Sequence, residues 1–341
     1  MNPIGVPELP GSMNRRAMLI FSGAVALSLT GCTQDGPQTS GRGRSSAPAP
    51  QTPTPTPVPG TVEAAEREND LAAFSAAALD RFEDRLSAAD RNLLTNLRDA
   101  HLAHAAVLTQ PNPPAPSAST PAAPPALGHG PKAARARLKS LETKAAKAYS
   151  GLALSPTGPE DHLGDLALLW ASLATASTCY AAACSRGSNP GSEVVGDHRT
   201  NVAVAGPDTA VHDLLEQCYA IIFGYQTALA ALSGSRADHA RSRMAGYRDL
   251  RDQLADQLSD QRLPVPAPHA AYRLPVQPTS DTRSAQLIGR MESRMLPYLG
   301  QWLRTASSDD RRRSLDTMIE TAQDAQTWSP KIIVWPGYSI S

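Results

Sequence analysis

Residues 207–232 read PDTAVHDLLEQCYAIIFGYQTALAAL, and the spacing of their apolar side chains decides the fold. Val211, Leu215, Cys218, Ile222, Tyr225, Leu229 and Leu232 recur at alternating steps of four and three, which places them in one stripe along an α-helix. Pro207 and Asp208 stand where a helix starts, because proline is preset for the first turn and an acid there complements the helix dipole. Downstream, Ser235 and Asp238 have capping-box spacing and predict a second helix with a seam of Ala240, Met244, Tyr247, Leu254 and Leu258. Beyond a proline-rich connection from Pro264 to Pro278, Ser280 to Thr305 carries Ile288, Met291, Met295, Leu299 and Trp302, and Ser308 to Trp328 carries Leu315, Ile319, Ala322 and Trp328.

The same pattern runs upstream. Val62 to Leu86 reads as a helix, and Ser87 with Asp90 predicts a capped second one running to Leu108. After a proline-rich stretch from Pro111 to Pro131, helices are predicted over Pro131 to Tyr149 and Pro159 to Cys184, the latter with a seam of Leu163, Leu166, Trp170, Leu173, Ser177, Tyr180 and Cys184. Each set of four helices has a short, a long and a short connection, the loop pattern of a four-helix bundle with one crossover. The predicted fold is all-α: a bundle over 62–185, a linker over 186–206, a second bundle over 207–329 and a tail over 330–341. The tail, Lys331-Ile332-Ile333-Val334-Trp335-Pro336-Gly337-Tyr338, is apolar and β-prone and is expected to pack along the second bundle. Composition agrees, since aromatic residues make up 5% of the chain and alanine and proline are abundant, which disfavours sandwiches and barrels.

Near the start, Arg15 and Arg16 precede an uncharged run from Ala17 to Thr30 that ends in Leu29-Thr30-Gly31-Cys32. The run is shorter than the roughly 20 residues of a spanning helix, so cleavage after an export signal over 1–31 is the expectation. Leu-Thr-Gly-Cys resembles the bacterial lipobox, which implies lipidation of Cys32. Asn14-Arg15-Arg16-Ala17-Met18-Leu19 resembles the twin-arginine export motif; paired arginines also occur in ordinary secretory signals, and Met13 is an alternative start to Met1. From Cys32 to Thr61 the chain is poor in apolar side chains and includes Thr52-Pro53-Thr54-Pro55-Thr56-Pro57. At about 3.1 Å per residue, such a stalk spans up to roughly 90 Å. The expected location is the extracytoplasmic face of the cell membrane.

Charge and motifs exclude several classes. With 32 basic and 32 acidic residues there is no net charge to draw the chain to nucleic acid. Nothing of the Gly-x-Ser-x-Gly, phosphate-loop or Cys-x-x-Cys kind is present. Cys179, Cys184 and Cys218 allow at most one disulfide, with Cys218 joined to one of the other two, or are three small buried hydrophobes.

One long crossover between hairpins is the ferritin-like topology, and Pro207 to Trp328 resembles an actinobacterial lipoprotein domain family of unknown function placed with the ferritin-like bundles. The likeness rests on Leu215-Glu216, Tyr247-Arg248, Leu250-Arg251-Asp252, Ala271-Tyr272-Arg273-Leu274-Pro275 and Glu292. Arg98 to His104 resembles the degenerate amino-terminal half of such proteins. Ferritin-like di-metal sites need Glu-x-x-His, which puts both side chains on one helix face. The residues three before the eight histidines are Arg98, His101, Ala126, Pro159, Val195, Thr209, Arg236 and Pro266, so the motif is absent, a di-metal site is disfavoured and no cofactor is expected.

The metal candidates are His101 and His104, which share a seam with Leu94, Leu97 and Leu108, with Glu66, Asp70 or Glu142 to complete the site. The plainer reading is a pair of histidines hydrogen-bonded to carboxylates across the bundle. Glu216, Tyr247, Arg251, Asp252 and Glu292 are expected to form a polar cluster inside the second bundle. Together these features predict a non-catalytic binding or scaffolding module of the envelope, anchored in the membrane through lipid, with an envelope protein or small ligand as partner and a homodimer left open. The alternatives are a metal-handling or redox protein and a solute-binding lipoprotein.

Overall fold

A computed structural model describes residues 58–109, 126–186, 191–195 and 206–338. Residues 1–57, on which the expected export signal, the expected lipidation of Cys32 and the expected stalk fall, lie outside the described residues, as do parts of the two long connections. The protein is all-α apart from two short strands. Among the described residues the helices are α1 (Thr61–Arg81), α2 (Ala88–Leu108), α3 (Pro131–Leu154), α4 (Leu163–Arg186), α5 (Pro207–Leu229), α6 (Gly234–Asp260), α7 (Asp281–Thr305) and α8 (Ser308–Trp328). The strands are β1 (Gly191–Val195) and β2 (Lys331–Ile333).

Local chemistry sets the helix ends. Ser87 Oγ accepts from the Asp90 amide at 3.1 Å, as its spacing predicts, and Ser280 and Ser307 cap α7 and α8 in the same way. Several boundaries differ from expectation: α3 runs past Tyr149 to Leu154, and α4 begins at Leu163 behind a 3-10 turn over Glu160–His162. Phe82 breaks α1 early, and a 3-10 turn over Glu83–Arg85 lets both Phe82 and Leu86 reach the core. Helix α6 starts at Gly234 behind Ser233, and Asp238, read as part of a cap, pairs instead with Arg241 at 2.7 Å.

Helices α1 and α2 pack as a hairpin, as do α3 and α4, and α1 lies on α3 and α2 on α4. In the second half α5 packs on both α6 and α7, and α7 on α8. The halves share one continuous core, because α4 also packs on α7 and α8. The reason lies in its sequence. From Leu166 to Cys184 nearly every residue of α4 is apolar or small and buried, so a neighbour is needed on every side. That helix is long and apolar enough to cross a membrane, yet 89% of its apolar window is covered by its own neighbours, as in a core helix. Asp165 and Arg304 tie the joint at 2.5 Å. Cys179, Cys184 and Cys218 are free and buried, which favours the reading as small hydrophobes.

The tail corrects the expectation that it lies along the second bundle alone. Strand β2 pairs in parallel with β1, and Ile332, Val334, Trp335 and Tyr338 are buried. Gly337, at φ 90, turns the chain against Gly300 of α7, Leu168 of α4 and Met318 of α8, so the tail wedges between the halves. Only glycine fits at 300, where a methyl group would run into the Gly337 carbonyl. Gly300→Ala is therefore expected to dislodge the tail at a cost of about 1–3 kcal/mol, read as a lowered melting midpoint by circular dichroism. Leu215→Asp, which buries an unpaired charge at a fully covered seam position, should cost on the order of 4 kcal/mol in chemical denaturation; an unchanged midpoint would mean that this stripe is not core.

Candidate functional site

Each half carries one buried polar centre, built from side chains that interrupt otherwise apolar seams. In α1 the buried stripe Ala64, Glu68, Leu71, Ser75, Ala78 runs at steps of four and three, so Glu68 is aimed inward. In α2 the seam delivers His101 and His104, in α3 Leu138, Glu142, Ala145 and Tyr149, and in α4 Tyr180. All of these polar side chains are fully covered.

Glu68 is the hub. Its Oε2 lies 2.7 Å from His101 Nδ1 and 2.9 Å from His104 Nδ1, and its Oε1 accepts from the Tyr149 hydroxyl at 2.6 Å. The outer nitrogen of each ring is held from behind. His101 Nε2 faces Glu142 Oε1 at 2.8 Å, and His104 Nε2 donates to the Val334 carbonyl at 2.8 Å. A carbonyl only accepts, so His104 carries a proton on Nε2. The second carboxylate oxygen of Glu142 is buried without a hydrogen-bond partner among the described residues. Tyr180 sets its ring edge-on to His101 at 5.6 Å and donates to the Ile333 carbonyl at 3.2 Å, and Trp335 packs its ring on His104 at 4.6 Å.

The electrostatics follow from burial and pairing. Burial alone opposes an imidazolium at His101, but Glu142 and Glu68 together outweigh it and push the ring up to about 10. Burial likewise opposes the Glu68 carboxylate, and the two imidazoles hold it well below the usual range. Glu142 moves the other way, because burial raises its carboxyl more than His101 lowers it.

The histidines thus lie where the sequence predicts, and Glu142 joins them. Glu66 and Asp70 do not: both are exposed, since two residues along a helix is about 200° around it, and Glu68 between them takes the inward place. Glu68, His101 and His104 each present one ligand atom, all within 4.8 Å of one another.

The second centre is built around Glu292 of α7. It accepts from Tyr225 of α5 and, at 2.5 Å, from Tyr247 of α6. Arg243 lies one turn before Tyr247 with its guanidinium 4.5 Å from the centre of that ring. It is 3.6 Å from Glu292 and 2.7 Å from Asp324 of α8, and donates to Thr321 at 2.7 Å. A surface cleft of about 290 Å³, lined by His239, Arg243 and Asp324 among others, reaches this centre. Of the predicted cluster only Tyr247 and Glu292 are here. Arg251 and Asp252 pair with each other at 2.7 Å on the outer side of α6, and Glu216 is half-buried beside His212 and Asp213. Arg243, Asp324 and Tyr225 replace them. Tyr225 stands in the apolar seam, and the signal was its hydroxyl, which needs a partner once buried.

Residues 210–339 match the family described as "Domain of unknown function (DUF4439)". The match covers the second half and its tail, where the resemblance to a domain family of unknown function lies. A conserved hypothetical protein from Mycobacterium tuberculosis, known as a crystal structure, is similar to this chain at 27% identity, over 36% of this chain and 93% of that one, with a TM-score of 0.35. No curated protein matches the chain.

The two centres respond differently to pH. Burial pushes Glu292 up to about 7 despite the nearby Arg243, with Asp324, Tyr225, Tyr247 and Thr321 also facing it. A carboxyl raised in the folded state contributes stability below its unfolded value near 4.5 and loses it as pH rises through about 7. Glu292→Gln should therefore remove a loss on the order of 3 kcal/mol between pH 4.5 and 8, measured as the difference between wild-type and variant denaturation curves. Parallel curves across that range would refute the assignment.

Proposed function

We propose that this chain is a non-catalytic, lipid-anchored binding module of the cell envelope, and that its binding seat is the first-half centre at Glu68, His101 and His104. The anchoring part is supported by Leu29-Thr30-Gly31-Cys32 after an uncharged run, by the proline- and threonine-rich stretch behind it, and by the resemblance to an actinobacterial lipoprotein domain family.

The observation that carries the seat is the contrast between the two centres. Each neutralises a buried glutamate with phenol hydroxyls and cationic groups. In the second half the cation is the guanidinium of Arg243, which is part of the chain and holds its charge at any physiological pH. In the first half the groups facing Glu68 beside the phenol are imidazole nitrogens, which can give up a proton and offer a lone pair. The first centre can therefore take a cationic guest, whereas the second is closed by a side chain. The donors of the first centre are held by one another, by Glu142 and by the tail carbonyl, an arrangement that fixes a small guest rather than presenting a reactive group to a substrate.

The anchor is tested by metabolic labelling with a tagged fatty acid. The wild-type chain should incorporate label and sediment with membranes, and Cys32→Ser should lose the label and appear unprocessed or released. Equal labelling of the variant would overturn the anchored reading.

A further inference from the structure

Resting on that reading of the first-half centre as a seat, we infer that its guest is a single divalent transition-metal ion of the zinc class, bound by Glu68 Oε2, His101 Nδ1 and His104 Nδ1.

Three independent features converge on this. The first is the donor set: one carboxylate oxygen and two imidazole nitrogens face one point from two helices. Imidazole donors suit zinc, copper, nickel and iron, whereas magnesium and calcium take oxygen and keep water, which a fully covered site does not favour.

The second is what stands behind the donors. A metal-bound histidine typically gives its other N–H to a carboxylate or a backbone carbonyl, which fixes the ring. His101 has Glu142 in that place and His104 has the Val334 carbonyl, so both rings already point their Nδ1 atoms inward. Glu142 also keeps a buried oxygen without a hydrogen-bond partner among the described residues, so its carboxyl is committed to His101 alone.

The third is charge balance. An ion that takes the Nδ1 lone pairs displaces the protons held there to solvent, and their departure offsets the positive charge it brings into the buried centre. The donors stand 2.7 and 2.9 Å apart where hydrogens lie between them; ligands on one tetrahedral zinc stand about 3.3 Å apart, so the seat opens by roughly half an ångström on exchange. This is not a ferritin-type pair of ions, because Glu142 lies on the outer nitrogen of His101 and does not bridge.

The test uses the full chain purified from membranes in detergent without affinity tag or chelator, with zinc and cobalt chlorides as probes. Elemental analysis and cobalt absorption should give one ion per chain with the visible bands of cobalt held by nitrogen and oxygen donors, and protons should be released on binding. Glu68→Gln and His104→Gln should lower occupancy at least tenfold at equal free metal. Should either fail to fold, Glu142→Gln, which keeps all three donors and replaces the outer carboxylate of His101 by a neutral amide, should weaken binding about 10- to 100-fold.

Failure to bind either ion at 100 µM free metal would overturn the inference. So would stoichiometric binding that persists in all three variants, because the ion would then sit elsewhere, such as the half-exposed His212, Asp213 and Glu216. Fatty-acid labelling of a chain that binds no metal overturns the ion and leaves the anchor standing. Metal binding by an unlabelled chain does the reverse.

Discussion

A carboxylate removed from water has to be compensated on the spot, and this fold is arranged around two of them, Glu68 and Glu292. Around each, the partners come from two other helices: α2 and α3 for Glu68, and α5 and α6 for Glu292. A slide of one helix by a single residue would carry its partner about 100° around the axis and leave a buried charge alone. Breaking such a pair costs about 3–5 kcal/mol, a large part of the stability of an ordinary domain. Apolar seams tolerate some slippage; these centres do not, so they set the register that the leucines and alanines then fill.

The second organising element is α4. Three sides of a bundle helix usually suffice, but this one is apolar nearly all round and joins both cores. It also explains where Gly337 of the tail packs, in the groove that α4, α7 and α8 leave between them. The tail in turn supplies a backbone acceptor to His104 and another to Tyr180, so the first-half centre is completed by residues of the second half.

Much of this was legible in the sequence. Helix positions followed from seams at steps of four and three, and the Ser87 cap from its spacing with Asp90. Reading the polar side chains failed where facing had to be inferred from residue type. Glu66 and Asp70 are acids near the right height, but Glu68 shares the stripe of Ala64, Leu71 and Ser75, and strict periodicity singles it out. Arg243 was not legible, because a long cationic side chain on a mostly polar helix is normally solvated and only the tertiary fold brings Glu292 and Asp324 to meet it. The Val334 carbonyl was invisible in principle, since every residue has one.

The bond from His104 to Val334 spans 230 residues of chain. During synthesis at 5–20 residues per second, His104 leaves the ribosome on the order of 10 to 50 s before its acceptor exists. For that interval α1 to α4 can assemble while one imidazole still lacks its outer partner and the groove for Trp335 stands open. The order of translation therefore leaves an early period in which the centre is reachable from outside, and that period closes when the tail arrives.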